Sequence, residues 1–389
     1  MGPNTKIDMT NEEILGSLFE NGLIDLNPGR IFKTSPGALP HNFDFDRIEG
    51  MLLGLAIGDS MGNTSEGMAP GRRKGLYGEI RDYLPNRFAG NKPVGLPSDD
   101  TQLAFWTLEQ IIENGGFNPE VLAAKITSRK IFGLGSTVKN FIRNYKSGKP
   151  WYRCGPKSAG NGALMRIAPM VVPHLRSATS AMWADAALSA MLTHNDSGSI
   201  AACIAFIRMI WESLRLEQPP GPQWWLKTYL ETARELEIDR SYVPRCSTFK
   251  DFKGSISDFI EAHLARAFES GLSTLDACNK WCSGAFLLET VPCVLFILMK
   301  HGADPEEAIV RAANDTVDND TIAAIVGAAV GALHGKRKLP RRFVSGLPGR
   351  TAEGDDGRIF ELISEAGRNY WDISREQEAG PKTPAIAES

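Results

Sequence analysis

Residues Asp315 to His334 read DTVDNDTIAAIVGAAVGALH, an acidic, hydroxyl-rich turn running straight into an uncharged apolar segment. The segment Ile322 to Leu333 is built from Ala, Ile, Val, Gly and Leu, with Gly327 and Gly331 four residues apart. Small residues at that spacing share one helix face and let a neighbouring helix approach closely, which predicts a central, buried helix. The run is too short to span a bilayer. The same design occurs earlier, where Ser98-Asp99-Asp100-Thr101 precedes a helical stripe of Leu103, Trp106, Gln110 and Ile111. Carboxylates and hydroxyls are hard oxygen donors that suit Mg²⁺ or Ca²⁺ rather than zinc or copper. Brought together, the two clusters would hold one or two divalent cations with positions open to substrate oxygens. The same residue types also begin ordinary helices. Two clusters in one chain, each richer than a single cap requires, favour the metal reading.

Outward from these clusters, helical periodicity dominates beyond residue 45. Ile48, Met51, Leu52 and Leu55 form one stripe, and Gly115-Gly116 stops the helix that follows Asp100. Asn118-Pro119-Glu120 and Asp304-Pro305-Glu306 each read as a cap followed by proline at the first helical position. Further runs near 135–147, 179–193, 197–217, 223–236, 256–269, 273–283 and 287–300 predict a compact all-α, multi-helix fold. Val171-Val172-Pro173 is the nearest approach to a strand, and its proline demotes it. Three parts follow: an N-terminal extension over 1–45, a core domain over 46–372 and a flexible tail over 373–389. The extension holds a short acidic helix from Asn11 to Asn21 and then a Pro/Gly-rich passage. Residues 68–97, rich in Gly, Pro and Arg, read as a long loop of the kind that forms lids and binding elements.

Of 389 residues, 42% are hydrophobic and 23% charged, as expected of a globular protein able to bury a sizeable core. The net charge of −3 argues against nucleic acid as a partner. The basic run Lys336-Arg337-Lys338 follows a helix, where cations favour the C-terminal end. Six scattered cysteines form no Cys-x-x-Cys pair, and no histidine near Cys278 and Cys282 completes a zinc site, so all six read as reduced thiols. With no apolar leader, the expectation is a cytoplasmic protein without membrane contact.

Five motifs, in order, resemble the ADP-ribosylglycohydrolases, the family containing the dinitrogenase reductase-activating glycohydrolase. They are Gly54-Leu-Ala-Ile-Gly58-Asp59-Ser-Met-Gly62 with Glu66, Ser98 to Gln102, Gly160-Asn161-Gly162 running to Pro169, Thr193-His194, and Asn314 running to Gly327. The likeness runs from about residue 46 to about 372. It implies an all-α domain with a two-Mg²⁺ cleft that hydrolyses the bond from ADP-ribose to a protein side chain. By position, the implied metal ligands are Ser98, Asp99, Asp100, Asp318, Asp320 and Thr321. Asp100 and Glu66 are the candidates for base and positioning roles, with the division between them open. Gly160, Asn161 and Gly162 would bring backbone amides to pyrophosphate or ribose, and otherwise form an ordinary turn. His194 would touch ribose or phosphate, and otherwise ends a helix. Asp59 would touch the site or organise the loop bearing Glu66.

The second cluster departs from the family's frequent Gly-Gly-Asp-Thr-Asp-Ser/Thr, with Thr316 and Val317 at the glycine positions, so the local turn must avoid positive φ. Ser98 stands where threonine is frequent, and Asp315 is an additional carboxylate for capping or support. ADP-ribosyl-arginine is the favoured substrate, with the acceptor selected at the cleft mouth by loops including 68–97 and acidic groups such as Glu79 and Asp82. The extension resembles that of family members acting as immunity proteins, which suggests a cognate ADP-ribosyltransferase toxin as a partner of residues 1–45. A rival reading keeps the toxin contact and drops catalysis.

Overall fold

The computed structural model describes residues 9–372. The N-terminal half carries α1 (Asn11–Glu20), α2 (Asp46–Asn63), α3 (Pro70–Tyr77), α4 (Asp99–Asn114), α5 (Pro119–Ser128) and α6 (Ser136–Lys146). Next come α7 (Ala181–Thr193), α8 (Ser197–Arg215), α9 (Pro222–Leu236), α10 (Ile256–Glu269) and α11 (Thr274–Lys280). The chain then forms α12 (Leu287–His301), α13 (Pro305–Asp315), α14 (Asn319–His334), α15 (Arg341–Ser345) and α16 (Arg358–Tyr370). Among the described residues the named strands are a two-residue antiparallel pair, Pro85–Asn86 with Lys92–Pro93. The fold is all-α, as the periodicity predicts.

Local signals set the boundaries. Asn118 accepts from the Glu120 and Val121 amides at the start of α5, and Asp304 accepts from the Glu307 amide at the start of α13. Gly115 ends α4 with φ +68, the left-handed conformation a side chain resists.

The centre is the pairing of α2 with α14. Gly50, Gly54, Gly58 and Gly62 repeat every four residues along α2 and face Gly331, Gly327, Ala323 and Asp320 of α14 in turn. A Cβ on Gly54 would lie 2.1 Å from the Gly327 carbonyl oxygen, and one on Gly327 would lie 2.0 Å from the Gly54 oxygen. One on Gly58 would come within 1.9 Å of the Ala323 oxygen. The helices therefore meet backbone to backbone, which sets Asp59 beside the first turn of α14. The predicted central helix is found, and its partner is the other glycine-rich helix.

Residues 9–45 lie on the helical body. Asn11 Nδ2 donates to Asp185 Oδ1 on α7 at 2.5 Å and to the Phe117 carbonyl at 2.9 Å, and Leu15, Leu18, Ile24 and Leu26 are buried. The indoles of Trp183 and Trp211 donate to the Thr34 and Gly37 carbonyls. A partner contact through this segment would use its outer face. Residues 1–8 and the expected tail from 373 lie outside the described residues.

Several expectations are corrected. Residues 68–97 are not a structureless loop but contain α3 and the small hairpin. The helical run at 273–283 stops at Lys280, because Cys282 and Ser283 turn to φ +63 and +42. That turn brings Cys282 to Cys246, with Cα atoms 5.9 Å apart, and the two form a disulfide. Cys154, Cys203, Cys278 and Cys293 are free and buried, so the reading of six reduced thiols holds for four. One helix, α8, is apolar and long enough to cross a membrane, yet 89% of its apolar window is buried inside the protein.

Candidate active site and metal centre

The first acidic cluster is fixed by capping. Ser98 is extended and its Oγ accepts from the Asp100 amide at 3.2 Å, starting α4. Asp59, from α2, then accepts from the Ser98 amide, the Thr101 amide at 3.0 Å and the Thr101 hydroxyl at 2.5 Å. One carboxylate thus binds the N-terminus of α4 to α2.

The second cluster is braced from the opposite wall. Ser283 accepts from the Asp318 amide at 2.9 Å through its carbonyl and from the Val317 amide at 3.0 Å through its hydroxyl. Thr316 is extended and Val317 does not adopt positive φ; the left-handed residues are Cys282 and Ser283 on the facing loop. Asn161 Nδ2 donates to Asp318 Oδ2 at 2.5 Å and to Thr290 Oγ1. Arg73, fully buried, donates to the carbonyls of Ser65, Met68, Asn314 and Thr316 and to the Ser65 hydroxyl. It ties the loop bearing Glu66 to the turn before Asp318.

These restraints gather carboxylates that are far apart in sequence. Oxygens of Asp59, Asp100 and Asp320 lie within 4.8 Å of one another, as do those of Glu66, Asp318 and Asp320. Asp320 belongs to both sets, so two cation positions would be adjacent and share it. The donors fit hard divalent ions. Asp100 Oδ2 is buried without a hydrogen-bond partner. Burial, then the charges of Asp320 and Asp59, push Asp100 well above the usual carboxylate range. Burial and Asp318 do the same to Asp320. Burial foremost raises Asp59, Asp99 and Asp318 each to about 6. So many desolvated acids in one place either hold protons or take up compensating positive charge, as a bound cation would supply. Asp99 lines the same cleft without joining either carboxylate set, Thr321 lines it too, and Ser98 Oγ is engaged in capping.

The cleft is about 560 Å³, within the range of small-molecule sites. Gly160, Asn161, Gly162 and His194 all line it. The Asn161 amide is already donated to the Ala285 carbonyl, so the residue acts through its side chain. The glycines flank the imidazole: a Cβ on Gly162 would lie 3.0 Å from His194 Cε1, and one on Gly160 would lie 3.4 Å from Nε2. Buried Arg166 donates to the Thr193 hydroxyl, which pairs with His194 Nδ1 at 2.9 Å. With Arg166 donating to its oxygen, the Thr193 hydroxyl has its own proton to give to Nδ1, and in that arrangement the ring proton sits on Nε2. Burial and then Arg166 hold His194 down at about 3, so the ring is a neutral donor.

Other placements differ from expectation. No residue of 68–97 lines this cleft. Glu79 pairs with Arg81 and Arg311 beside another cavity, and Asp82 lies near Arg342, so neither waits for a guanidinium. Asp315 also faces that other cavity. The cleft wall is instead Gly133 to Val138, where α6 begins, with Arg245, Ala285 and Phe286. Gly133-Leu134-Gly135-Ser136 was a legible signal, a glycine-rich turn opening a helix whose free amides favour anions. Asp59, expected to touch the site or organise the loop bearing Glu66, joins the first carboxylate set and organises the start of α4 instead.

The family model described as ADP-ribosylglycohydrolase matches residues 40–371. The ADP-ribosyl-[dinitrogen reductase] glycohydrolase of Rhodospirillum rubrum is 25% identical over 83% of this chain and 97% of its own length. The ADP-ribosylarginine hydrolase Tri1 of Serratia proteamaculans is 25% identical over 81% of this chain and 78% of its own. A solved structure described as an ADP-ribosylglycohydrolase-related protein complex shares the fold, with a TM-score of 0.58 and 24% identity, covering 84% of this chain and 97% of that one. A match across nearly all the described residues, on a fold that assembles the acidic clusters in one cleft, places this chain in the ADP-ribosylglycohydrolase family.

Proposed function

We propose that this chain is a Mg²⁺-dependent hydrolase that releases ADP-ribose from modified protein side chains, with arginine-linked ADP-ribose as its substrate. The observation carrying this reading is the pair of carboxylate sets sharing Asp320 at the floor of one cleft. Asp59, Asp100, Asp318 and Asp320 would hold two ions, whose chemistry would be to bind ribose oxygens and to offset the charge of the surrounding carboxylates, with Glu66 beside the second position.

The chain's own residues divide the remaining work. His194 Nε2–H donates to a ribose oxygen or phosphate, and the first amides of α6 receive the anionic part of the substrate. Glu66 is the better base of the two candidates. It is exposed at the cleft, and desolvation raises its carboxyl above the usual range, whereas Asp100 is buried among acids. Glu66 takes a proton from water as the water oxygen bonds to the anomeric carbon. The carbon–nitrogen bond breaks, and the departing guanidine takes up a proton. Arginine linkage is favoured by the likeness to the two relatives above.

The test is release of free ADP-ribose from ADP-ribosyl-arginine and ADP-ribosyl-serine peptides with Mg²⁺, by wild type and Asp100→Asn. Arginine release lost in the variant is expected. Serine-only release would overturn the linkage, and release from neither would overturn the hydrolase reading.

A further inference from the structure

The cleft presents an electrostatic difficulty for its own substrate. Glu66, Asp99, Asp100, Asp318 and Asp320 line it, while ADP-ribose carries a doubly charged diphosphate. Among the lining residues one side chain is a permanent cation, Arg245. We infer that Arg245 binds the substrate diphosphate and thereby selects ADP-ribosyl groups over uncharged ribosides. This rests on the hydrolase reading above and assigns a residue to it.

The guanidinium is clamped. Nε and Nη2 donate to the two oxygens of Glu289 at 2.8 and 2.6 Å, the paired geometry that fixes the plane as well as the charge. Glu289 is 5% exposed and Arg245 61%, so the ion pair is a dipole with its negative end buried and its positive end towards solvent and cleft. The Arg245 Cζ lies 5.1 Å from the Phe286 ring centroid, which supports one face of the plane. Nη1 has no hydrogen-bond partner among the described residues, leaving one nitrogen for a ligand. The backbone is anchored too, since the adjacent Cys246 is bonded to Cys282 on the loop that carries Ser283 and Phe286. A side chain held at two nitrogens, one face and the neighbouring residue forms a further bond with little loss of freedom.

Calorimetric titration in Mg²⁺ buffer with ADP-ribose, ADP and adenosine tests this. For Arg245→Gln, affinity for ADP-ribose and ADP should fall roughly 10- to 100-fold, the range for one hydrogen bond to a charged group. Adenosine should be unaffected, and Arg245→Lys should recover part of the loss. Arg245→Gln leaves Glu289 buried and unpaired, so the double variant Arg245→Gln/Glu289→Gln is measured beside it. Undiminished ADP-ribose affinity in the folded double variant would overturn the inference. Equal losses for adenosine and ADP would also overturn it, assigning Arg245 to packing. Should wild type bind ADP-ribose normally yet hydrolyse nothing, the hydrolase reading fails while the diphosphate contact stands.

Discussion

Gly58→Ala tests whether the catalytic cleft depends on the backbone contact between α2 and α14. The added Cβ would sit 1.9 Å from the Ala323 carbonyl oxygen, whereas an ordinary carbon–oxygen contact is about 3.3 Å. The shortfall is roughly 1.4 Å against a helix backbone, which cannot swing aside as a side-chain tip can. Overpacking of this kind costs about 1–3 kcal/mol and sometimes more. Better helix propensity returns about 0.5–1 kcal/mol. A net loss of about 2 kcal/mol should lower Tm by roughly 2–3 °C in a chain of this size. Activity should fall further than stability. Asp59 is the next residue on α2, and it is set against Asp320 by this contact, so a shift near 1 Å would cost on the order of 100-fold in rate. Gly16→Ala on α1, with nothing within 4 Å of its Cβ, is the control and should be neutral or slightly stabilising. Thermal melts and ADP-ribose release from both variants decide. Gly58→Ala melting with wild type and hydrolysing at the wild-type rate would refute the dependence.

Other outcomes follow from the same structure. Asp59, Asp99 and Asp318 hold protons up to about pH 6 in the folded metal-free chain. A raised folded value gives stability that is full below the unfolded pKa near 4 and lost as pH rises through 6. Chelator-treated protein should therefore show a falling Tm from about pH 4.5 to 6.5, and saturating Mg²⁺ should abolish the fall; a flat metal-free profile counts against clustered acids. Arg73→Lys keeps the charge but loses the forked pattern to four carbonyls and a hydroxyl, and should cost about 3 kcal/mol or more by urea melt. A loss below about 1 kcal/mol would mean Arg73 does not clamp the Glu66 loop. Cys246→Ser opens a loop with a sequence separation of 36 and should cost about 3–4 kcal/mol under oxidising conditions. With a dithiol present, wild type should melt like the variant, and an unchanged wild-type melt in the reductant would argue against the bridge.

How much was legible in the sequence depended on whether the signal was local. Helix starts at Asn118 and Asp304, the stop at Gly115 and the central segment 322–333 all follow from residues within a turn of the boundary. The acidic clusters were visible because several carboxylates per turn are unusual. Asp59 was harder, since one aspartate beside four-spaced glycines shows its role only when α14 is laid against them. Arg73 carried no signal, because its partners are backbone carbonyls, which any residue supplies. The disulfide was hidden by its spacing, and the reading of a helix through 283 failed because two consecutive non-glycine residues adopt positive φ. Glu79 and Asp82 misled because exposed acids in a loop look alike whether free or already paired with arginines.

The choice of scaffold also has a physical reason. Carboxylates at the cleft floor repel one another, and a set carried on flexible loops would splay until water screened it. Here each acid is held through backbone: Asp59 and Asp320 by helices in direct contact at glycine, Asp100 by the first turn of α4, and Asp318 by the Ser283 carbonyl, with the Ser283 hydroxyl holding the preceding Val317 amide. The groups bonded to these carboxylates are uncharged amides and hydroxyls, and Asp100 Oδ2 has no partner at all, so the negative charge is kept, whereas restraint by arginines would have consumed it. Arg73 is consistent with this division, since every group it bonds is uncharged. The clamp thus tightens the site without neutralising it, and Arg245, whose charge is balanced by buried Glu289, stands at the wall, away from the floor.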